Sequence, residues 1–219
     1  MHIELVDSLR CPVPHDDTWL VASVTRFDGR DIVDGMLGCP ICHRQYAVHR
    51  GEVDFDGAAV VRQDACGDAE IRGSSPVPDA DELLRARAVL ALGDAGGIVL
   101  LGGAHARFAP RFADEVQVAP LLFNAPRWAW SASGAPSAIR ARDALPIASG
   151  TLRAAWFDAS TATAPILADA ARALRAGGRL VAPASAPLPA YVRLLARDEQ
   201  LWVGEVAGVQ SAPVALRRR

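Results

Sequence analysis

Apolar residues follow two rhythms along this chain. Up to about residue 56 they alternate with polar ones, as in strands with one buried face. Trp19-Leu-Val-Ala-Ser-Val-Thr-Arg-Phe27 has this pattern, Ile32-Val-Asp-Gly-Met-Leu-Gly38 follows it, and Tyr46 to Phe55 reads as a hairpin turning at Arg50-Gly51. Past residue 79 the apolar positions form short unbroken runs and helical stripes. Asp79-Ala-Asp-Glu82 is a capping box that opens a helix through Leu92, with Gly93 as its stop. Ile98-Val-Leu-Leu101, bounded by glycines, predicts a buried parallel strand. Val116-Gln-Val and Leu121-Leu-Phe123 are second-strand segments, and Leu152 to Phe157 is a further strand. Ala164 to Leu174 is an amphipathic helix stopped by Ala176-Gly-Gly178, before the strand Arg179-Leu-Val-Ala182. A helix is expected near Tyr191 to Ala196, then a hairpin of Leu201–Val206 with Val214-Ala-Leu216. This order predicts an α/β fold: a small β module over residues 1–56, a linker over 57–78, and a doubly wound, mostly parallel sheet over 79–219. Gly73-Ser-Ser-Pro-Val-Pro78 in the linker is expected to be extended.

The β module carries the chain's clearest chemistry. Cys11-Pro-Val-Pro-His15 and Cys39-Pro-Ile-Cys42 are two pairs of soft ligands, each in a proline-containing knuckle. Cys-x-x-Cys spacing lets two thiolates at a tight turn meet one ion, and the wider Cys-x-x-x-His pair uses the reach of imidazole. Cys11, His15, Cys39 and Cys42 thus read as one tetrahedral Zn2+ site. Four protein ligands leave no position for a reactive water, so the metal is structural. The competing readings are unrelated core cysteines or a redox Cys-x-x-Cys, but the latter should open a helix, whereas this one leads into a hairpin. His43 or His49 is the next candidate if His15 is not the fourth ligand. Cys66 reads as a linker thiol with no role.

Composition narrows the partners. The 219 residues carry 23 basic and 25 acidic side chains, a net charge of −2, so no global field draws nucleic acid or an anionic membrane. Every basic residue is arginine, which removes a Schiff-base lysine. No run approaches the ~20 apolar residues of a membrane span, and the N-terminus lacks the basic region of a signal peptide. Three of the four cysteines, explained by metal, fit a reducing cytoplasm.

Two stretches resemble known families. Leu9-Arg-Cys-Pro12, Ile32-Val-Asp-Gly-Met-Leu-Gly-Cys-Pro-Ile-Cys42 and Tyr46-Ala-Val48 resemble the small zinc-binding subunit that activates RNA and protein methyltransferases. His15 departs from that pattern, where a cysteine two residues after the first is usual. Arg142-Asp-Ala-Leu-Pro-Ile-Ala-Ser-Gly-Thr-Leu-Arg-Ala-Ala-Trp-Phe157 and Ala171-Arg-Ala-Leu-Arg-Ala-Gly-Gly-Arg-Leu-Val181 are similar to segments of class I S-adenosylmethionine-dependent methyltransferases. The resemblances imply a zinc-ribbon-like module followed by a methyltransferase-like (Rossmann-like) sheet with an antiparallel C-terminal hairpin. They also imply that Gly102, Gly103 and Asp143 would bind the cofactor, with Asp143 facing the adenine. Three parts of the cofactor site are eroded. The glycine loop is reduced to Gly102-Gly-Ala-His-Ala106, no carboxylate ends the Val116–Asn124 stretch, and the acid usual near the next strand is replaced around Leu152-Arg153.

Three functions follow. The first is a non-catalytic scaffold that binds or stabilises a protein partner; in the resembling family the zinc module pairs a strand with its methyltransferase, a contact that fusion would make intramolecular. The second is an active methyltransferase. His105 would be its general base (its plainer role is a solvent-facing loop residue), and Asp158 a substrate contact (or a turn and helix cap). The third is a nucleic-acid-binding zinc ribbon, disfavoured by balanced charge over residues 1–56. Trp128 and Trp130 are the aromatic cluster beside a charge, expected to pack over the domain seam or an emptied cofactor cleft.

Overall fold

The computed structural model describes residues 1–57, 77–93, 96–126 and 137–207. Cys66, the Gly73–Pro76 stretch, Trp128, Trp130, Val214–Leu216 and the Arg217–Arg219 tail lie outside the described residues. A short helix α1 (Ile3–Val6) precedes four strands: β1 (Val21–Asp28), β2 (Asp31–Gly38), β3 (Gln45–His49) and β4 (Glu52–Asp54). Then follow α2 (Ala80–Val89), β5 (Ile98–Gly102), a 3-10 turn (Gly103–Phe108), α3 (Ala109–Glu115), β6 (Ala119–Phe123) and β7 (Ala138–Arg140). The chain continues through β8 (Leu152–Trp156), α4 (Ala164–Ala173), β9 (Leu174–Pro183), β10 (Val192–Arg197) and β11 (Leu201–Val206). No helix among the described residues is long and apolar enough to cross a membrane.

All these strands join one sheet, ordered β1-β2-β3-β4-β7-β6-β5-β8-β9-β11-β10. β1 to β4 form an antiparallel meander. From β4 through β9 every pairing is parallel, and β11 runs antiparallel to both β9 and β10. This is a mixed α/β sheet, mostly parallel at its centre with antiparallel C-terminal strands. β6 and β7 lie to one side of β5, and β8 and β9 to the other. The strand order therefore reverses at β5 and β8, where open α/β sheets form their ligand crevice.

Alternation along the strands builds a core on each face. Leu100, Leu121 and Leu180 point to one face with Ile166, Leu167 and Ala170 of α4, together with Met1, Leu5 and Leu9. Val99, Leu101, Leu122 and Val181 point to the other, against Leu83 and Ala86 of α2 and Phe112 of α3. The capping box at α2 forms as expected: Asp79 Oδ1 accepts from the Glu82 amide at 2.8 Å, and Glu82 Oε2 from the Asp79 amide at 3.1 Å.

Backbone pairing joins the β module to the rest in two stretches among the described residues, beside the His2 amide donating to Ser137 Oγ at 2.9 Å. β4 pairs with β7 through Glu52–Ala138, Val53–Ile139 and Asp54–Arg140. The segment before the first knuckle lies on the loop after β7, with Arg10 N–H donating to Pro146 O at 2.9 Å and Ala148 N–H to Ser8 O at 2.8 Å.

Two expectations are corrected. Tyr191–Ala196 is not a helix: Val192–Arg197 is β10, an edge strand paired with β11 from Val192–Val206 to Arg197–Trp202. Its local propensity yields to the hydrogen bonds and packing that β11 offers. The second-strand segment Val116-Gln-Val is not a strand either. Val116 caps α3 and Gln117 takes a left-handed φ of 53°, so β6 starts only at Ala119. Ile139→Ala, at the fully buried centre of the β4–β7 pairing, is expected to cost about 2–5 kcal/mol in urea unfolding.

Candidate functional site

The two knuckles meet at the top of the meander. The ligand atoms of Cys11, His15, Cys39 and Cys42 all lie within 4.8 Å of one another, so the group can hold a metal ion. Cys11 Sγ and Cys42 Sγ are 3.6 Å apart, and Cys39 Sγ and His15 Nε2 3.3 Å. A tetrahedral ion with metal–sulfur bonds of about 2.3 Å holds sulfurs about 3.8 Å apart, and sulfur and nitrogen about 3.6 Å. A disulfide would bring two sulfurs to about 2.05 Å; all three cysteines here are free. The donors therefore fit zinc, which would close the two knuckles into one unit.

The surroundings prepare the ligands. His15 Nδ1 lies 2.7 Å from Asp16 O. A carbonyl only accepts, so Nδ1 carries the proton and Nε2 keeps its lone pair toward the thiols. Burial alone would raise the Cys39 thiol, but the Cys42 and Ile41 amides outweigh it and bring its pKa down to about 7. Burial pushes the Cys11 thiol up, against hydrogen bonds from Tyr46 and the Val13 backbone. Tyr46 OH is 3.1 Å from Cys11 Sγ, and burial raises the phenol so that its proton stays on oxygen. His43 is exposed in the second knuckle with φ 58°. His49 Nδ1 pairs with Asp34 Oδ1 at 3.0 Å, away from the cluster.

At the switch point Gly102 ends β5 and Gly103 starts the 3-10 turn with φ 57°. What faces these glycines is the chain itself. A Cβ on Gly103 would run into the Asp158 carboxylate, and one on Gly102 would lie 2.8 Å from Thr161 Oγ1 and 2.9 Å from Phe157 Cδ1. Asp158 Oδ2 accepts from the Ala104 amide at 2.8 Å. Its Oδ1 accepts from Ser160 Oγ at 2.7 Å and Thr161 Oγ1 at 2.8 Å. Partial burial would raise this carboxyl, but the Ala104 amide and the two hydroxyls hold it below the usual range. Asp158 therefore ties the loop after β8 to the loop after β5, across the crevice.

Asn124 is also engaged within the chain, whereas the Asp143 side chain, among the described residues, is not. Asn124, just past β6, takes φ 47°. Its amide donates to Ala141 O at 2.7 Å and accepts from Ala141 N at 3.1 Å. Asp143 is exposed in the loop after β7. Leu152-Arg153 opens β8 at its end remote from the crevice, so the expected place of the missing acid is corrected. There Arg153 is buried and donates to Ala91 O at 3.1 Å and Gly96 O at 3.2 Å, which fastens the end of the α2 segment. His105 does not face solvent. Its ring stacks on Trp156 at 4.0 Å, and burial lowers its pKa to about 4. The Asp158 and Asn124 contacts escaped sequence reading because their partners lie on other loops. The signal was there for one of them: Asp158 is an acid two residues past a buried strand.

No protein-family model matches this chain, and no curated protein matches it. Among solved structures it is similar to the antibiotic-resistance methyltransferase Kmr, at 18% identity and a TM-score of 0.39 over 57% of this chain and 93% of that one. A SAM-dependent methyltransferase from Aquifex aeolicus is similar at 11% identity and a TM-score of 0.42, over 63% and 96% of the two chains. A chain from the complex between the Haloferax volcanii Trm112 methyltransferase activator and a methyltransferase is similar at 21% identity and a TM-score of 0.38. That match spans 52% of this chain and 56% of the other. At TM-scores below 0.5 these likenesses add nothing to the strand order and side chains described above.

Two outcomes are expected. Cys42→Ser lowers metal content per chain, read by elemental analysis after dialysis against a weak chelator, and lowers Tm with it. His105 in the folded protein titrates near 4, against an ordinary 6.5. Its contribution to stability is complete above the ordinary value and is lost as pH falls toward 4, up to about 3 kcal/mol. In His105→Phe the unfolding free energy should fall less steeply over that window.

Proposed function

We propose that this chain is a metal-stabilised, methyltransferase-like protein that no longer transfers methyl groups and acts by binding a protein partner. The observation that carries this reading is the Asp158 carboxylate on Gly103. A backbone that approaches a cofactor needs its glycine face open, and here that face is covered by the next loop. Asn124, spent on Ala141, leaves β6 without a carboxylate to hold a ribose. His105, neutral and stacked against Trp156, is poorly placed to collect a proton at neutral pH.

Cys11, His15, Cys39 and Cys42 would hold Zn2+ with four protein ligands, which supplies folding free energy and no open coordination position. By packing on the loop of residues 141–148, the metal module braces the part of the sheet where cofactor would otherwise enter. The open side of the meander supports partner binding: Trp19 is 65% exposed, Val21 64% and Phe27 52% along edge strand β1 and its approach. Three free thiols suit a reducing compartment such as the cytoplasm.

Calorimetric titration of the metal-loaded protein with S-adenosylmethionine and S-adenosylhomocysteine tests this reading. No heat is expected at millimolar cofactor. Micromolar binding that disappears in Asp143→Ala would overturn it in favour of an active methyltransferase that uses Gly102, Gly103 and Asp143.

A further inference from the structure

Cys39 and Cys11 are supported differently. Apart from the other three members of the cluster, Cys39 meets amides of its own knuckle, the Cys42 amide at 3.5 Å among them, as Cys11 meets the Val13 backbone. Cys11 faces a side chain from a different element: Tyr46 on β3, 2% exposed, with its hydroxyl 3.1 Å from the sulfur. The Tyr46 ring is held by Phe55, with centroids 4.7 Å apart. Phe55 is in turn fixed where its amide donates to Arg140 O of β7 at 2.8 Å. The hydroxyl is thus aimed by a ring packed on Phe55, whose backbone is tied to β7.

We propose that Tyr46 is a positioning residue for the metal, an inference that rests on the metal reading above. A metal-bound Cys11 is a thiolate with no proton to give, so the Tyr46 O–H donates to it. That hydrogen bond sets the direction of the sulfur, spreads part of its charge, and ties the first knuckle to β3. It also links metal occupancy to the packing of β4 on β7 through Phe55.

Cobalt titration of wild type, Tyr46→Phe and Phe55→Leu, followed by the thiolate-to-cobalt charge-transfer band and by chelator competition, tests this. Tyr46→Phe keeps the ring and loses only the hydroxyl. It should bind cobalt about 10–100-fold more weakly, as the loss of a ligand's hydrogen-bond partner does, and shift the band. Phe55→Leu should lower Tm and shift the band less than Tyr46→Phe does. An unchanged affinity and band in Tyr46→Phe would overturn the assignment of Tyr46 alone. A band that moves equally in Phe55→Leu would overturn it too, because packing would then account for the effect. A wild-type protein that takes up no cobalt would overturn the metal reading and this proposal with it.

Discussion

Between β4 and β7 the sheet is held by Glu52–Ala138, Val53–Ile139 and Asp54–Arg140, and the place of the whole β meander depends on that pairing. Val53 and Ile139 are fully buried at its centre, and Arg140 reaches across to Glu52 at 2.9 Å. A four-stranded antiparallel unit this small buries little apolar area, so it would gain its order from an ion at one end and gains it from a larger sheet at the other. Strand pairing of this kind is how one protein adds a strand to another's exposed edge. Inside one chain it needs no association step, and the edge of β7 is covered from the start.

At the opposite side of β5 the same economy governs the crevice. Open parallel sheets leave amides and strand ends unpaired at the reversal of strand order, and a ligand usually satisfies them. Here Asp158 takes the Ala104 amide, and Asn124 takes the backbone of Ala141. Every such bond made within the chain is one that an entering ligand would have to break, at the desolvation cost of a buried polar group.

The clustering of Cys11, His15, Cys39 and Cys42 was legible because Cys39 and Cys42 share a turn and the proline-bounded Cys11–His15 segment can come to meet them. The helices α2 and α4 were legible from their capping and periodicity. β10 was not, because Tyr191–Ala196 carries no local signal stronger than the partner strand that captures it. Trp156 was readable as a strand residue and His105 as a loop residue, but their stacking depends on a register between β5 and β8 that only the assembled sheet supplies. Gly103 reads as a remnant of a cofactor loop in sequence. In three dimensions it is equally the residue that makes room for Asp158, and one glycine cannot announce which.

Glu52 and Arg140 lie 88 residues apart along the chain, whereas Cys11 and Cys42 are separated by 31. During synthesis the metal cluster and the meander can therefore form well before β7 exists. For that interval β4 is an edge strand, with Val53 paired to Val48 of β3 on one side and open on the other. Glu52 and Asp54 on either side of it supply like charges that discourage another chain from pairing there. The same two acids then become part of the finished sheet, Glu52 by pairing with Arg140. A residue pair that stabilises the mature protein so doubles as a guard for the nascent one, and neutralising both acids should harm yield during expression more than stability afterwards.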